Sequence, residues 1–278
     1  MQLHELYQKI DLPDEAARRA EEAGHTLDLA ALEPFLAGMM AIETAESAYR
    51  ALSNRLTGDG DHYAMLYCQL ECARRDAGRY REMGIGEDVF CATMKCFSRF
   101  LRECEVRNGR MFFDRGWWTY RQLAMRIFRI GELEYELEPP SGDAAVGLHI
   151  PSDANLSPGA VDDSLMRASQ FLESHWPELS RDRFCCDSWL LSPALRSFLG
   201  PDSNILSFQN RFEILREHPQ DRGFLEWLFR APEDADFTDL PETTRLQREV
   251  KRLLLAGGNV GSAAGILRPV PELRLENR

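Results

Sequence analysis

His149, Cys186 and Ser188 are the residues of this 278-residue chain whose types and setting allow group-transfer chemistry. His149 stands in the apolar run AVGLHIP at 145–151, which has strand length and ends at Pro151, since proline offers no N–H to a sheet. Side chains alternate along a strand, so His149 shares a face with Gly147, and Leu148 and Ile150 face the other way. Cys186 and Ser188 share one face of a second such run, RFCCDSWLL at 183–191, with Cys185, Asp187 and Trp189 on the other. A histidine exchanges protons near neutral pH and suits a general base toward an amine, and a Cys–His pair suits a covalent acyl intermediate. The opposing reading is structural: a core histidine bonded to a carbonyl, beside two small buried cysteines. Asp187 and Ser188 are polar groups in an apolar strand, where buried polar groups need partners. Asn204, Gln209 and Asn210 carry amides that can orient a polar substrate, with Asn210 on the apolar face of its strand. Asp187, Trp189, Asn204, Gln209 and Asn210 are therefore the candidate substrate-binding residues.

These groups need elements to position them. Between the two runs, Ser157 can cap a helix, Pro158 suits its first position, and Asp162 and Asp163 lie in its early turns. Val161, Leu165, Ala168, Leu172 and Trp176 follow at helical spacing and make one apolar face. Strand, helix and strand form a βαβ unit with a right-handed crossover, and ligands in such sheets lie beyond the carboxyl ends of the strands. The unit sets the two strands side by side or one strand apart, with His149 and Cys186 at the mouth of the gap. Upstream, 126–130 and 133–137 read as a hairpin in which Leu133, Tyr135 and Leu137 alternate with Glu132, Glu134 and Glu136 on a wet face, followed by a loop at 139–143. Downstream, the pattern predicts a short helix at 194–199, a hairpin of strands at 205–215 and 224–229, and a helix at 242–255. Gly257-Gly258-Asn259-Val260-Gly261 follows that helix and lacks the GK[ST] ending of a P-loop, so it reads as a C-cap and loop, leading over 257–265 to a short final segment.

Residues 1–115 read as helical: 5–10, 14–23, a long segment at 29–56 with Pro34 and Gly38 as bend or break points, 61–83, and a helix carrying the stripe Phe90, Met94, Phe97 and Leu101. Helices joined by short polar turns form a bundle. The aromatic stretch FFDRGWWTY at 112–120 marks the junction. The expectation is an α+β chain with domains at 1–115 and 116–278.

The formal net charge is −12, which disfavours nucleic acid and anionic membranes as partners. There is no apolar run of ~18 residues to span a bilayer and no signal-peptide core at the start, so the expected location is the cytoplasm. Seven cysteines without a CxxC pair or matching histidines argue against a disulfide framework and against a metal site.

The order strand, strand, strand, helix, strand, short helix, strand, strand resembles the GNAT N-acetyltransferase fold, whose central strand, helix and strand cradle coenzyme A. The words FRIGELEYEL, GLHIPSDANLSP, CDSWLLSPAL and SNILSFQNRFEIL resemble a family of bacterial acyltransferases that pair a helical N-terminal domain with a GNAT-like C-terminal domain. The resemblance is strongest over 117–229. It implies a helical bundle followed by a GNAT-like mixed β-sheet with flanking helices. It also implies transfer of an acyl group from acyl-CoA or acetyl-CoA to a small-molecule amine, without a metal. The donor's diphosphate would lie at the helix start, on Ser157 and the amides of Gly159 and Ala160. The chain departs from ordinary GNAT enzymes twice. Their phosphate loop is basic and glycine-rich, whereas SDANLSPGA at 152–160 has no arginine and one glycine, with Asp153, Asp162 and Asp163 close by. They often use a tyrosine after the next strand as the acid, whereas the last tyrosine here is Tyr135, which leaves Cys186, His149 or water. The competing expectation is a non-catalytic GNAT-like module that binds a small polar ligand or a protein partner. Splayed central strands would admit a pantetheine arm, and a filled gap would exclude it.

Overall fold

The computed structural model describes residues 1–137, 146–179 and 184–268. The expected loop at 139–143, the first residues of the two central runs (145 and 183) and everything beyond 268 lie outside the described residues. The chain divides into two compact units, Met1–Arg129 and Ile130–Arg278.

The first unit contains α1 (Leu3–Lys9), α2 (Asp14–Gly24), α3 (Leu29–Met39), α4 (Ala45–Arg55), α5 (Tyr63–Glu82), α6 (Glu87–Met94), α7 (Cys96–Asn108) and α8 (Gly116–Leu123). Helices α1, α2, α3, α6 and α8 pack on α5, whose buried residues run from Tyr63 to Tyr80. The long segment at 29–56 breaks after Met39, not at Pro34, which stays inside α3. There the Thr44 hydroxyl donates to the Gly38 carbonyl at 2.8 Å, satisfying one of the acceptors that a helix end leaves open. The stripe Phe90, Met94, Phe97 and Leu101 is buried, as its spacing requires, although a break at Lys95 divides it between α6 and α7. The aromatic junction folds as α8 and belongs to the helical unit, so the compact units meet later than the change of pattern at 115/116.

The boundary between the units runs through β1 (Ile127–Ile130). The second unit continues with β2 (Leu133–Leu137), β3 (Val146–His149), α9 (Pro158–His175), β4 (Phe184–Ser188), α10 (Asn204–Gln209), β5 (Phe212–His218), α11 (Phe224–Phe229), α12 (Arg245–Leu255) and β6 (Ser262–Leu267). The sheet order is β1-β2-β3-β4-β6-β5; β3 and β4 are parallel, and the pairs β2/β3, β4/β6 and β5/β6 are antiparallel. Helix α9 is the crossover between β3 and β4 and buries Val161, Leu165, Ala168 and Leu172.

Four expectations are corrected. The run at 205–215 is a helix and then a strand, because Ile205, Phe208 and Gln209 also satisfy a helical period, with Phe208 and Gln209 buried and Ile205 half-buried. The run at 224–229 is helix α11: Phe224, Leu225, Leu228 and Phe229 fall on one helical face and join a core with Val250, Leu254 and Val260. The partner of β5 is β6, whose small residues Ser262–Gly265 conceal it behind the glycine-rich turn. The face of β2 that carries Glu134 and Glu136 is not wet, since those residues are 3 % and 1 % exposed.

Candidate active site at the parting of two central strands

Strands β3 and β4 pair at Val146↔Phe184 and Gly147↔Cys185, and among the described residues their pairing goes no further toward the carboxyl ends. Beyond that point each strand stays paired on its outer side, His149 with Glu134 on β2 and Cys186, Asp187 and Ser188 with β6. The two parallel strands therefore part at their carboxyl ends, where ligands lie in sheets of this kind.

The register decides which side chains share a face. Val146, Leu148, Phe184 and Cys186 point to the side on which Tyr135 meets Ser164 of α9. Gly147, His149, Cys185 and Asp187 point to the other side. His149 and Cys186 thus lie on opposite faces of the sheet, and the expected Cys–His pair does not form. The cause is parity: Gly147 is level with Cys185, so His149 matches the odd-numbered residues of β4. Cys186 is 3 % exposed, and burial, with Asp187 and Cys185 adjoining, pushes its thiol far above the ordinary value. Such a thiol is a poor nucleophile. Ser188 spends its hydroxyl as a cap that accepts the Leu190 N–H at 3.2 Å.

His149 instead meets a carboxylate. Its Nε2 lies 2.8 Å from Oε2 of Glu136, with the imidazole partly exposed and Glu136 buried. Glu136 is opposite Gly147, so the missing side chain there leaves room for the diagonal reach. Sequence reasoning missed Glu136 because period-two alternation marks a face without saying what covers it. Asp187 is exposed on the same face as His149, with His218 Nε2 at 3.7 Å from its Oδ2.

The remaining candidates do not gather here. Trp189 opens a short 3-10 turn and packs against the Leu195–Phe224 core. Gln209 is buried and donates to the carbonyls of Ser192 at 2.7 Å and Leu190 at 3.4 Å, which is a structural role. Asn204 is an exposed residue at the start of α10. Asn210, expected on an apolar strand face, is the exposed C-cap of α10 and accepts from Arg196 at 2.9 Å.

At the start of α9, Ser157 occupies the N-cap position without a side-chain capping bond; its own N–H donates to Asn155 Oδ1 at 3.0 Å. Gly159 and Ala160 follow in the first turn, where N–H groups have no intrahelical acceptor. A residue that the loop itself lacks enters from elsewhere: Arg211, between α10 and β5, pairs through Nη1 with Asp162 and donates from Nη2 to the Pro158 carbonyl at 3.1 Å. Its Nε is buried without a hydrogen-bond partner among the described residues. This donor set fits an anion. No group of metal-ligating side chains occurs among the described residues, and none of their helices is long and apolar enough to cross a membrane.

Comparison with known proteins agrees with this architecture. The chain is similar to a solved acyltransferase structure in complex with decanoyl-CoA and teicoplanin, with 22 % identity, a TM-score of 0.79, and coverage of 95 % of this chain and 86 % of that one. A mutant acyltransferase in complex with octanoyl-CoA matches with 21 % identity, a TM-score of 0.80, and coverage of 96 % and 87 %. At these identities the likeness shows the fold. None of the curated proteins is similar to the chain. Residues 1–125 match the N-acyltransferase N-terminal domain and residues 127–267 the GNAT-like C-terminal domain, and the chain belongs to the family that these two domains define.

Proposed function

We propose that the chain is an N-acyltransferase that moves an acyl group from a coenzyme A thioester to an amine on a small molecule, with His149 as the general base. The observation that carries this reading is the parting of β3 and β4 at the strand end that carries the His149–Glu136 pair. A strand edge freed on both sides of the gap offers backbone groups to an extended, amide-bearing arm. When bound, coenzyme A supplies an acyl carbon already activated as a thioester. Arg211, Gly159 and Ala160 are the groups placed to hold its anionic end.

The chain's own contribution follows from the dyad. With Glu136 Oε2 against its Nε2, the partly exposed imidazole of His149 is placed to exchange a proton with the acceptor amine. As the imidazole takes that proton, the buried carboxylate stabilises the imidazolium. The same imidazolium can return its proton to the departing thiolate, which makes a separate tyrosine unnecessary. Asp187, exposed on the same face, is placed to attract a cationic amine. The structural neighbours bind decanoyl-CoA, octanoyl-CoA and, in one complex, teicoplanin, which supports an acyl chain of that size and a polar acceptor here.

Calorimetric titration with acetyl-, octanoyl- and decanoyl-CoA tests the reading. Binding of at least one of them is expected. No binding at ligand concentrations near millimolar would overturn the reading in favour of a non-catalytic module.

A further inference from the structure

The loop at 152–160 contains no arginine, and Asp153, Asp162 and Asp163 surround it with negative charge in a chain of net charge −12. An anion settles there only if a cation arrives from another element. Arg211 is that cation. It is fixed at the base of β5, where its carbonyl accepts the Arg268 N–H at 2.8 Å, and its side chain is only 17 % exposed.

Its two partners tie the start of β5 to α9, yet its seat at a helix start is electrostatically unusual. The first turn of a helix carries the positive end of the macrodipole, which repels a cation. The guanidinium nevertheless lies against the Pro158 carbonyl and Asp162 in the first turns of α9. Of its two partners, Asp162 is the replaceable one, since that side chain is 58 % exposed and water can take its place. The planar fork of Arg211 matches two phosphate oxygens, and its unpartnered Nε is a further donor.

We propose that Arg211 is the diphosphate-anchoring residue for the acyl donor, exchanging the Asp162 carboxylate for phosphate oxygens while Gly159 and Ala160 supply backbone amides. This inference rests on the acyl-CoA reading above. It places the missing cation of the loop about fifty residues downstream in sequence, consistent with the Arg211–Asp162 separation of 49.

The test is calorimetric binding of CoA, 3′-dephospho-CoA and pantetheine to the full chain. Arg211→Gln is expected to weaken CoA and dephospho-CoA roughly ten- to a hundredfold, the range for a charged hydrogen bond, and to leave pantetheine unchanged. Asp162→Asn is expected to tighten CoA, because it removes the competing carboxylate while Arg211 remains. Arg211→Gln binding CoA as the unmodified chain does would overturn the inference alone. Asp162→Asn leaving CoA affinity unchanged or weaker would also overturn it, and this arm decides should Arg211→Gln fail to fold. An unmodified chain that binds no CoA would overturn the donor reading and this inference together.

Discussion

The imidazole of His149 and the carboxylate of Glu136 meet at 2.8 Å on a diagonal across β3 and β2, with Gly147 leaving the space between. A buried acid holding a partly exposed imidazole is an arrangement for proton exchange, and it separates two variants that would otherwise look alike. His149→Gln keeps a donor for Glu136 and loses the base. We expect kcat/KM to fall roughly 10²- to 10⁴-fold with little change in Tm. Glu136→Gln keeps the imidazole and a hydrogen-bonding partner but not the charge of that partner, so a smaller loss is expected. Full activity in His149→Gln would remove it from the mechanism.

Cys186 lies on the other face of the sheet under α9, and its thiol is pushed far up by burial. Cys186→Ala should therefore retain activity within about threefold and cost roughly 1 kcal/mol of stability for the small volume lost. The folded chain should also leave this thiol unlabelled by iodoacetamide at neutral pH, as mass spectrometry of the alkylated protein would show. Trapping of an acyl group on Cys186 would contradict both expectations.

Much of this was legible in the order of residues, and the failures share a cause. The apolar face of α9 from Val161 to Leu172 and the buried stripe from Phe90 to Leu101 are local patterns, and they stand in the structure. What requires a partner strand was not legible. The parity of His149 against Cys186 depends on a register of one residue, and no single strand carries that information. Glu136 reads as wet until the opposite face of the sheet is covered. β6 enters between β4 and β5 although it is the last of the described strands, so sequence pattern alone pairs β5 with the nearer run at 224–229, whose two pairs of adjacent apolar residues bury equally well as a helix. Arg211 was invisible for the same reason: its partner Asp162 is distant in sequence.

The helical unit should respond to pH through Asp76. Its carboxyl is pushed up to about 8 by burial, opposed by the Arg79 guanidinium that donates to Oδ1 at 2.7 Å; Cys72 and Tyr80 lie in its field. The unfolded value is 3.8, so between about pH 4 and 8 the folded state holds more protons than the unfolded one. Stability therefore falls as pH rises through that window, by at most about 1.4 kcal/mol per pH unit, and levels off above it. Asp76→Asn should flatten this dependence and raise stability on the alkaline side. Denaturation midpoints from pH 5 to 9 that run parallel for the two proteins would argue against it.

Ser164 ties α9 to the first hairpin. Its Oγ lies 3.0 Å from the Tyr135 hydroxyl, accepts the Leu133 N–H at 3.3 Å and donates to the Ile130 carbonyl. Gly131 is held against it with a φ of +64°, and a Cβ there would lie 3.0 Å from the Ser164 Cβ. Ser164→Ala leaves buried groups unpaired and should cost roughly 1–3 kcal/mol in chemical denaturation. Tyr135→Phe removes a single partner and should cost less than Ser164→Ala. Equal costs would mean that the hydroxyl pair, not the backbone anchoring, is the main contribution.

Asp187 faces the same side as His149 across the parted strands, and with a side chain 63 % exposed it meets solvent. An exposed carboxylate attracts a cation by at most about 1 kcal/mol, and salt screens that attraction. Asp187→Asn should therefore raise the KM for an ammonium-bearing acceptor by up to roughly fivefold, with the effect expressed in KM more than in kcat and shrinking as ionic strength approaches about 0.5 M. An uncharged acceptor analogue should show no difference between the two proteins. A fall in kcat with KM unchanged would move Asp187 from acceptor attraction to the chemical step, where its pairing with His218 at 3.7 Å would become the relevant contact.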